Sequence, residues 1–295
     1  MGLIGRTAWL LDTAHLVLER GHEISFICTA PSSPEARAGV TEFQAFASTH
    51  GTPFFADPRI SGLDLTADVC LSVNWVTVLR QPFLERFAHG VFNAHPGDLP
   101  RFRGNACLNW AILAGESEAV LTVHRMVEEL DAGPIALKRR RPIAPEDDIS
   151  TLYAWLDEQI PAALVETLDR VVDGTLELRP QDPSIRPLRV YPRKPEDSRI
   201  NWGDTAERIL RLVRASAAPF GGALTRLESG EEIAIHRARV HVPDHDFLAV
   251  PGQVCYAVDG NPIIATGDGM LELVELADDV ASKQIILRSL RNRLV

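Results

Sequence analysis

Cysteine is scarce in this 295-residue chain: Cys28, Cys70, Cys107 and Cys255 stand far apart, with no C-x-x-C pair. That scatter argues against a structural zinc site and suits a reducing compartment, so no metal is expected. No cleavable leader is expected either, since the apolar stretch Ala8–Leu18 is broken by Asp12 and His15 and lacks a small-residue cleavage site. No run comes near the ~20 apolar residues of a membrane span. Surplus positive charge is absent as well. The net charge of −10 argues against broad, phosphate-driven nucleic-acid binding. Repeats and low-complexity tracts are not found. What remains is an ordinary soluble balance, 45% hydrophobic and 24% charged, long enough for about two domains and expected in the cytoplasm.

Strands near 2–5, 23–28, 53–55, 68–73 and 90–93 alternate with helices over 8–19 and 41–49, the pattern of a largely parallel sheet. A helix is expected over 105–114, where Cys107, Trp110, Ala111 and Ala114 share a face and Gly115 ends it. Two strands, 120–126 and 134–143, flank a loop holding Asp131, and a long helix runs from Ser150, read as its N-cap, to Asp173, with Pro161 inside. Prolines at 180, 183, 187, 192 and 195 then mark a linker. Beyond it come a helix over 205–215 and short strands at 233–236, 253–256, 262–265 and 271–276. The expected fold class is α/β: a Rossmann-like, mostly parallel sheet with helices on both faces, plus a smaller C-terminal β-rich domain. The expected boundaries are 1–178, 179–200 for the linker and 201–295.

The densest chemical signal is FNAHPGDLPRFRG, from Phe92 to Gly104. Asn93 and His95 are two residues apart at a strand end, so both point the same way, where an α/β sheet presents its chemistry. Asp131 follows 36 residues after His95 at another strand-and-turn junction. An amide donor, an imidazole base and a carboxylate together suit acyl transfer to an amine. Each residue also has a plainer reading: Asn93 as a turn residue, His95 as a satisfied structural histidine, Asp131 as turn chemistry before Gly133. Arg101 and Arg103 suit an anion, their alternative being a solvated loop. The run Lys138-Arg139-Arg140-Arg141 reads as a strand with some charges outward rather than a nucleic-acid patch. His124 reads as packed in the sheet. Of the nine histidines, only His95 is assigned to a catalytic group. Gly2-x-x-Gly5 is too weak for a dinucleotide site.

Asn93-x-His95, Pro100-x-x-Arg103-Gly104, Asn109-Trp110-Ala111-Ile112, His124-Arg125-Met126, Leu130-Asp131-x-Gly133, Arg193-Lys194-Pro195-Glu196-Asp197-Ser198 and Gly267-Asp268-Gly269 occur in this order. On these motifs the sequence resembles the formyltetrahydrofolate-dependent formyltransferases, nearest to the domain that formylates UDP-4-amino-4-deoxyarabinose. The resemblance implies 10-formyltetrahydrofolate as cosubstrate and Asn93, His95 and Asp131 as catalytic residues. It further implies folate contacts at Trp75, Arg103, Gly104, His124 and Leu130, substrate contacts at Arg101 and Arg103, and an OB-like C-terminal domain that packs on the first or makes a homodimer contact. Two departures stand out: Cys107 where many relatives have proline, and a very short first strand.

The acceptor is read from the loop Thr29–Arg37, short and with one basic residue, whereas the tRNA-directed relatives carry a longer basic insertion there. A nucleotide-linked 4-amino sugar is therefore the expected amine, with methionyl-tRNA, or an amino-acid or siderophore-precursor amine, as alternatives. A reading of another class is a catalytically silent folate sensor.

Overall fold

The computed structural model describes residues 1–31 and 37–295. The loop Thr29–Arg37 therefore lies in part outside the described residues. Two compact units divide the chain. The first comprises Met1–Cys107, Glu118–Ile143 and Tyr153–Tyr191; the second comprises Leu108–Ser117, Ala144–Leu152 and Pro192–Val295.

Strands and helices alternate through the first half: β1 (Gly2–Gly5), α1 (Ala8–Glu19), β2 (Phe26–Cys28), α2 (Val40–His50), β3 (Phe54–Phe55), β4 (Cys70–Val73), α3 (Gln81–Leu84) and β5 (Val91–His95). Then follow β6 (Arg103–Gly104), α4 (Cys107–Ala114), β7 (Glu118–Arg125), β8 (Ile135–Pro142), α5 (Ile149–Val172) and β9 (Arg189–Val190). Seven strands form one sheet in the order β3-β2-β1-β4-β5-β7-β8. The first five are parallel, and β7 and β8 add antiparallel at one edge. Continuous apolar runs such as Cys70-Leu71 and Val91-Phe92 make central strands because both sheet faces are buried there. One core cluster gathers Ile4, Phe26, Cys70, Phe83, Phe87 and Val91 against Trp75 and Met126.

Several boundaries differ from the sequence expectation for local reasons. Helix α4 begins at Cys107 rather than 105, because Asn105 N–H donates to the Val190 carbonyl at 3.2 Å and Ala106 has a left-handed φ of 54°. The cap of α5 is Asp148, not Ser150: its Oδ1 accepts from Thr151 N–H at 3.0 Å, and Ser150 donates its hydroxyl to the same oxygen. β2 starts at Phe26, since the Met1 carbonyl takes the Ser25 N–H at 2.7 Å. In the proline-rich stretch, β9 pairs with β6, and Arg179 exchanges two backbone hydrogen bonds with Ile135.

The second unit holds α6 (Ala206–Ser216), β10 (Ala223–Arg226), β11 (Glu232–His241), β12 (Val254–Val258), β13 (Asn261–Ala265), β14 (Met270–Leu276) and α7 (Asp279–Leu287). Its five strands form an antiparallel sheet ordered β10-β11-β14-β13-β12. Thr205 caps α6 by accepting the Arg208 N–H at 3.2 Å, and Ile209 and Val213 face a core with Trp202, Ile235 and Leu273. β10 and α7 were not expected from the sequence. Only Ile286 of α7 is buried, too thin a stripe to read as a period.

The α5 cap gives a direct check. Asp148→Ala should destabilise the protein by about 1 kcal/mol and Ser150→Ala by only a few tenths, read as shifts of the urea midpoint. Equal losses would return the cap to Ser150.

Candidate active site

Val91, Asn93 and His95 lie on one side of β5, because alternate strand residues share a face. Val91 belongs to the apolar core, so this face turns from apolar to polar toward the C-terminal end. The antiparallel register sets Asn93 opposite His124 and His95 opposite Thr122. Strand pairing alone thus gathers one amide and two imidazoles. His124, expected both to pack in the sheet and to contact folate, lies beside this group. His124 is 1% exposed, its Nδ1 donates to the Arg125 carbonyl at 3.3 Å, and its Nε2 faces Asn93 Nδ2 at 3.4 Å.

Asp131 arrives on the connection between β7 and β8, in a left-handed conformation with φ of 50° that Asp tolerates better than most residues. Two residues on, Gly133 is required, since a Cβ there would lie 1.7 Å from the Arg125 carbonyl oxygen. The turn aims the carboxylate inward. Oδ2 accepts from Gly104 N–H at 2.8 Å and lies 3.7 Å from His95 Nδ1, while Oδ1 lies 3.6 Å from His124 Nε2. Gly104 comes this close because it has no Cβ; one would lie 2.1 Å from the Val190 carbonyl oxygen of β9.

His95 is 4% exposed, and its Nε2 bonds to the Phe102 carbonyl at 2.7 Å. A carbonyl only accepts, so Nε2 carries a hydrogen and Nδ1 faces Asp131. The Cys107 thiol donates to the same carbonyl at 3.1 Å and lies 3.6 Å from Nε2. Burial by itself would lower the imidazole pKa. The Cys107 sulfur and the Asp131 carboxylate outweigh it and hold His95 above the ordinary range, at about 9. For Asp131 burial would raise the pKa, and His95, His124 and the Gly104 N–H together pull it down to about 2. Both shifts favour the imidazolium and the carboxylate as an ion pair.

Other expected site residues sit as follows. Arg103 donates from Nη1 to Glu129 at 2.7 Å and from Nη2 to Gln181 at 2.8 Å. Arg101 lies over the Phe102 ring, 5.1 Å from its centre. Trp75 bonds to Thr77 at 2.9 Å and packs on the apolar cluster, and Leu130 is exposed. The basic run on β8 is ion-paired: Lys138 and Arg140 with Asp98, Arg139 with Glu166 and Arg140 also with Glu118. Gln181 was not expected from the sequence; its side chain donates to the Asp131 and Gly133 carbonyls at 2.6 and 2.9 Å. A cavity of about 470 Å³ opens between the start of β5 and the end of β7, with Leu84, Phe87, Val91, Met126 and Val127 in its wall.

Because His95 is raised above its unfolded value of ~6.5, its pairing stabilises the fold fully below that pH and is lost as pH rises through about 9. Asp131 is depressed, so its share is present above ~3.9 and lost as pH falls through about 2. Asp131→Asn should move the His95 midpoint down from about 9, followed by ring-proton NMR. An unmoved midpoint would show that the carboxylate does not hold the ring charge.

Solved structures share this architecture. HypX from Aquifex aeolicus in complex with tetrahydrofolic acid superposes with a TM-score of 0.62 at 21% identity, over 93% of this chain and 43% of that one. The chain thus spans less than half the length of HypX. An N-formyltransferase from Helicobacter canadensis in complex with folinic acid and dTDP-3-aminofucose gives 0.69 at 15% identity, over 94% and 98%. WlaRD, a sugar 3N-formyl transferase with dTDP and 5-N-formyl-THF, gives 0.67 at 16%, over 92% and 95%. At such identities the likeness concerns the fold. In sequence, residues 59–168 match the formyl transferase family model and residues 193–286 match the model of the formyl transferase C-terminal domain. With both halves matched in order, the chain belongs to the formyl transferase family.

Proposed function

We propose that the protein transfers a formyl group from 10-formyltetrahydrofolate to a primary amine, that of a nucleotide-linked 4-amino sugar. One observation carries the reading. Asn93, His95 and Asp131, from two separate stretches of chain, meet in one largely buried polar group. Support for the two substrates comes from the related folds, since HypX holds tetrahydrofolic acid and the Helicobacter canadensis enzyme holds folinic acid with dTDP-3-aminofucose. The cavity beside β5 has a volume within the usual range for small-ligand sites, and its apolar wall is interrupted by Gln81, Glu85 and Arg125. Ion pairing of the β8 basic run favours a small amine over tRNA, because those charges are already neutralised.

Each of the three side chains is assigned a role in this reading. Asn93 donates an amide hydrogen to the formyl oxygen as negative charge builds there, an effect worth roughly 2.7–4 kcal/mol. Free-base His95 carries its lone pair on Nδ1, since Nε2 keeps its hydrogen on the Phe102 carbonyl. It takes the proton of the attacking amine on the Asp131 side. Asp131 stabilises the resulting imidazolium, which returns the proton to the departing folate nitrogen. The new bond joins the amine nitrogen to the formyl carbon, and the bond from that carbon to the folate nitrogen breaks.

His95→Ala and Asp131→Ala should nearly abolish transfer in folded protein, and Asn93→Ala should cost about 10²–10³ in kcat. Since His95 acts as the free base, kcat/KM should climb with pH and level off near pH 9. A rate that is flat below pH 9 and falls above it would instead make His95 a hydrogen-bond donor. A panel of amino sugars and methionyl-tRNA, supplied with formyltetrahydrofolate, tests the acceptor. Transfer to tRNA above every sugar overturns the sugar assignment, and folate binding without transfer would mean a sensor.

A further inference from the structure

We infer that Gln181 is a positioning residue for the reaction: it holds the turn that aims Asp131, and Arg103 fixes the direction of its amide. The inference rests on the formyl-transfer reading for its kinetic test only. One carboxamide nitrogen donates to both the Asp131 and Gly133 carbonyls, at 2.6 and 2.9 Å. Oε1 of the same group accepts from Arg103 Nη2 at 2.8 Å, and Nη1 of Arg103 is anchored to Glu129 at 2.7 Å. A guanidinium only donates and a carbonyl only accepts. Hence a single orientation of the Gln181 amide makes all three bonds. The flipped amide would set an oxygen against two carbonyls and hydrogens against a cation.

The backbone at this point is equally fixed. Arg179, two residues earlier, exchanges backbone bonds with Ile135, the residue that opens β8 directly after the turn. Gln181 is thus clamped to the strand that follows Asp131 and reaches back to the left-handed residue itself, whose φ is 50°. A left-handed non-glycine residue costs energy unless its surroundings over-determine it. Two short bonds to its own carbonyl and that of Gly133 supply that restraint. The carboxylate they aim meets His95, His124 and the Gly104 N–H, and His95 in turn meets Asp131, Cys107 and His124.

The test uses Gln181→Met, which keeps the side-chain length and removes the donors and the acceptor. We expect kcat to fall about 10- to 100-fold, the scale of a displacement near 1 Å. KM for both substrates should stay within about two-fold, since binding is untouched. In the free enzyme the His95 ring midpoint, followed by NMR, should drop as the carboxylate withdraws. Arg103→Met removes one of the three bonds that orient the amide and should give a smaller drop in the His95 midpoint; the double variant should lower that midpoint no further than Gln181→Met. An unchanged kcat, a rise in KM alone, or an unmoved His95 midpoint in folded protein each overturns the inference. If Gln181→Met does not fold, the His95 midpoint of Arg103→Met decides, an unmoved midpoint overturning the inference. The NMR readout needs no substrate, so it separates this inference from the choice of donor and acceptor.

Discussion

A carboxylate almost entirely removed from water survives only where opposite charge and hydrogen-bond donors surround it, and Asp131 is that group here. Its oxygens meet two imidazoles and a backbone N–H, from β5, β7 and β6. Removing the partner that carries the opposite charge, His95, leaves the buried carboxylate less compensated, a larger penalty than the worth of the contact itself. Each element that reaches the site is therefore constrained by the position of one side chain. The two glycines where backbone is nearest, Gly104 and Gly133, are the residues that let those elements close around it.

The antiparallel edge of the sheet makes the arrangement available. Joining two parallel strands takes a crossover of a dozen residues or more, whereas antiparallel neighbours accept a compact connection. The link between β7 and β8 is such a connection, and it carries Asp131. The same reversal puts His124 directly across from Asn93, so the imidazole is set by strand register rather than by a loop. Beneath this polar end of the face, Val91 and its neighbours form a core that fixes β5 in place. Apolar packing positions the strand, and the strand positions the chemistry.

Elements of regular period were legible in the sequence, and so was the outline of the site. α1 has its expected ends, and every strand of the large sheet lies near an apolar run. Asn93, His95 and Asp131 were legible because strand alternation and the resemblance both speak about them. His124 reads as packed in the sheet, and it is buried there; that Asn93 lies opposite follows from register, which the sequence does not show. Gln181 left no signal at all, standing 50 residues beyond Asp131 in a stretch that reads as extended chain. Side chains that bond to backbone carbonyls obey no period, and sequence pattern cannot find them. Charge alone does not show how Arg103 is used within the protein: its two terminal nitrogens bond to Glu129 and Gln181.

Cys107 bears on how His95 is held. The Phe102 carbonyl offers two lone pairs; one takes the His95 Nε2 hydrogen at 2.7 Å and the other the thiol hydrogen at 3.1 Å. Proline, the residue the resemblance leads one to expect at this position, has no such donor and would leave the carbonyl to His95 alone. Here both donors sit on the carbonyl at once, so the ring keeps its Nε2 anchor and presents Nδ1 toward Asp131. A weak S–H donor is well suited to this, because it satisfies the oxygen without competing strongly for it while the imidazole is in place.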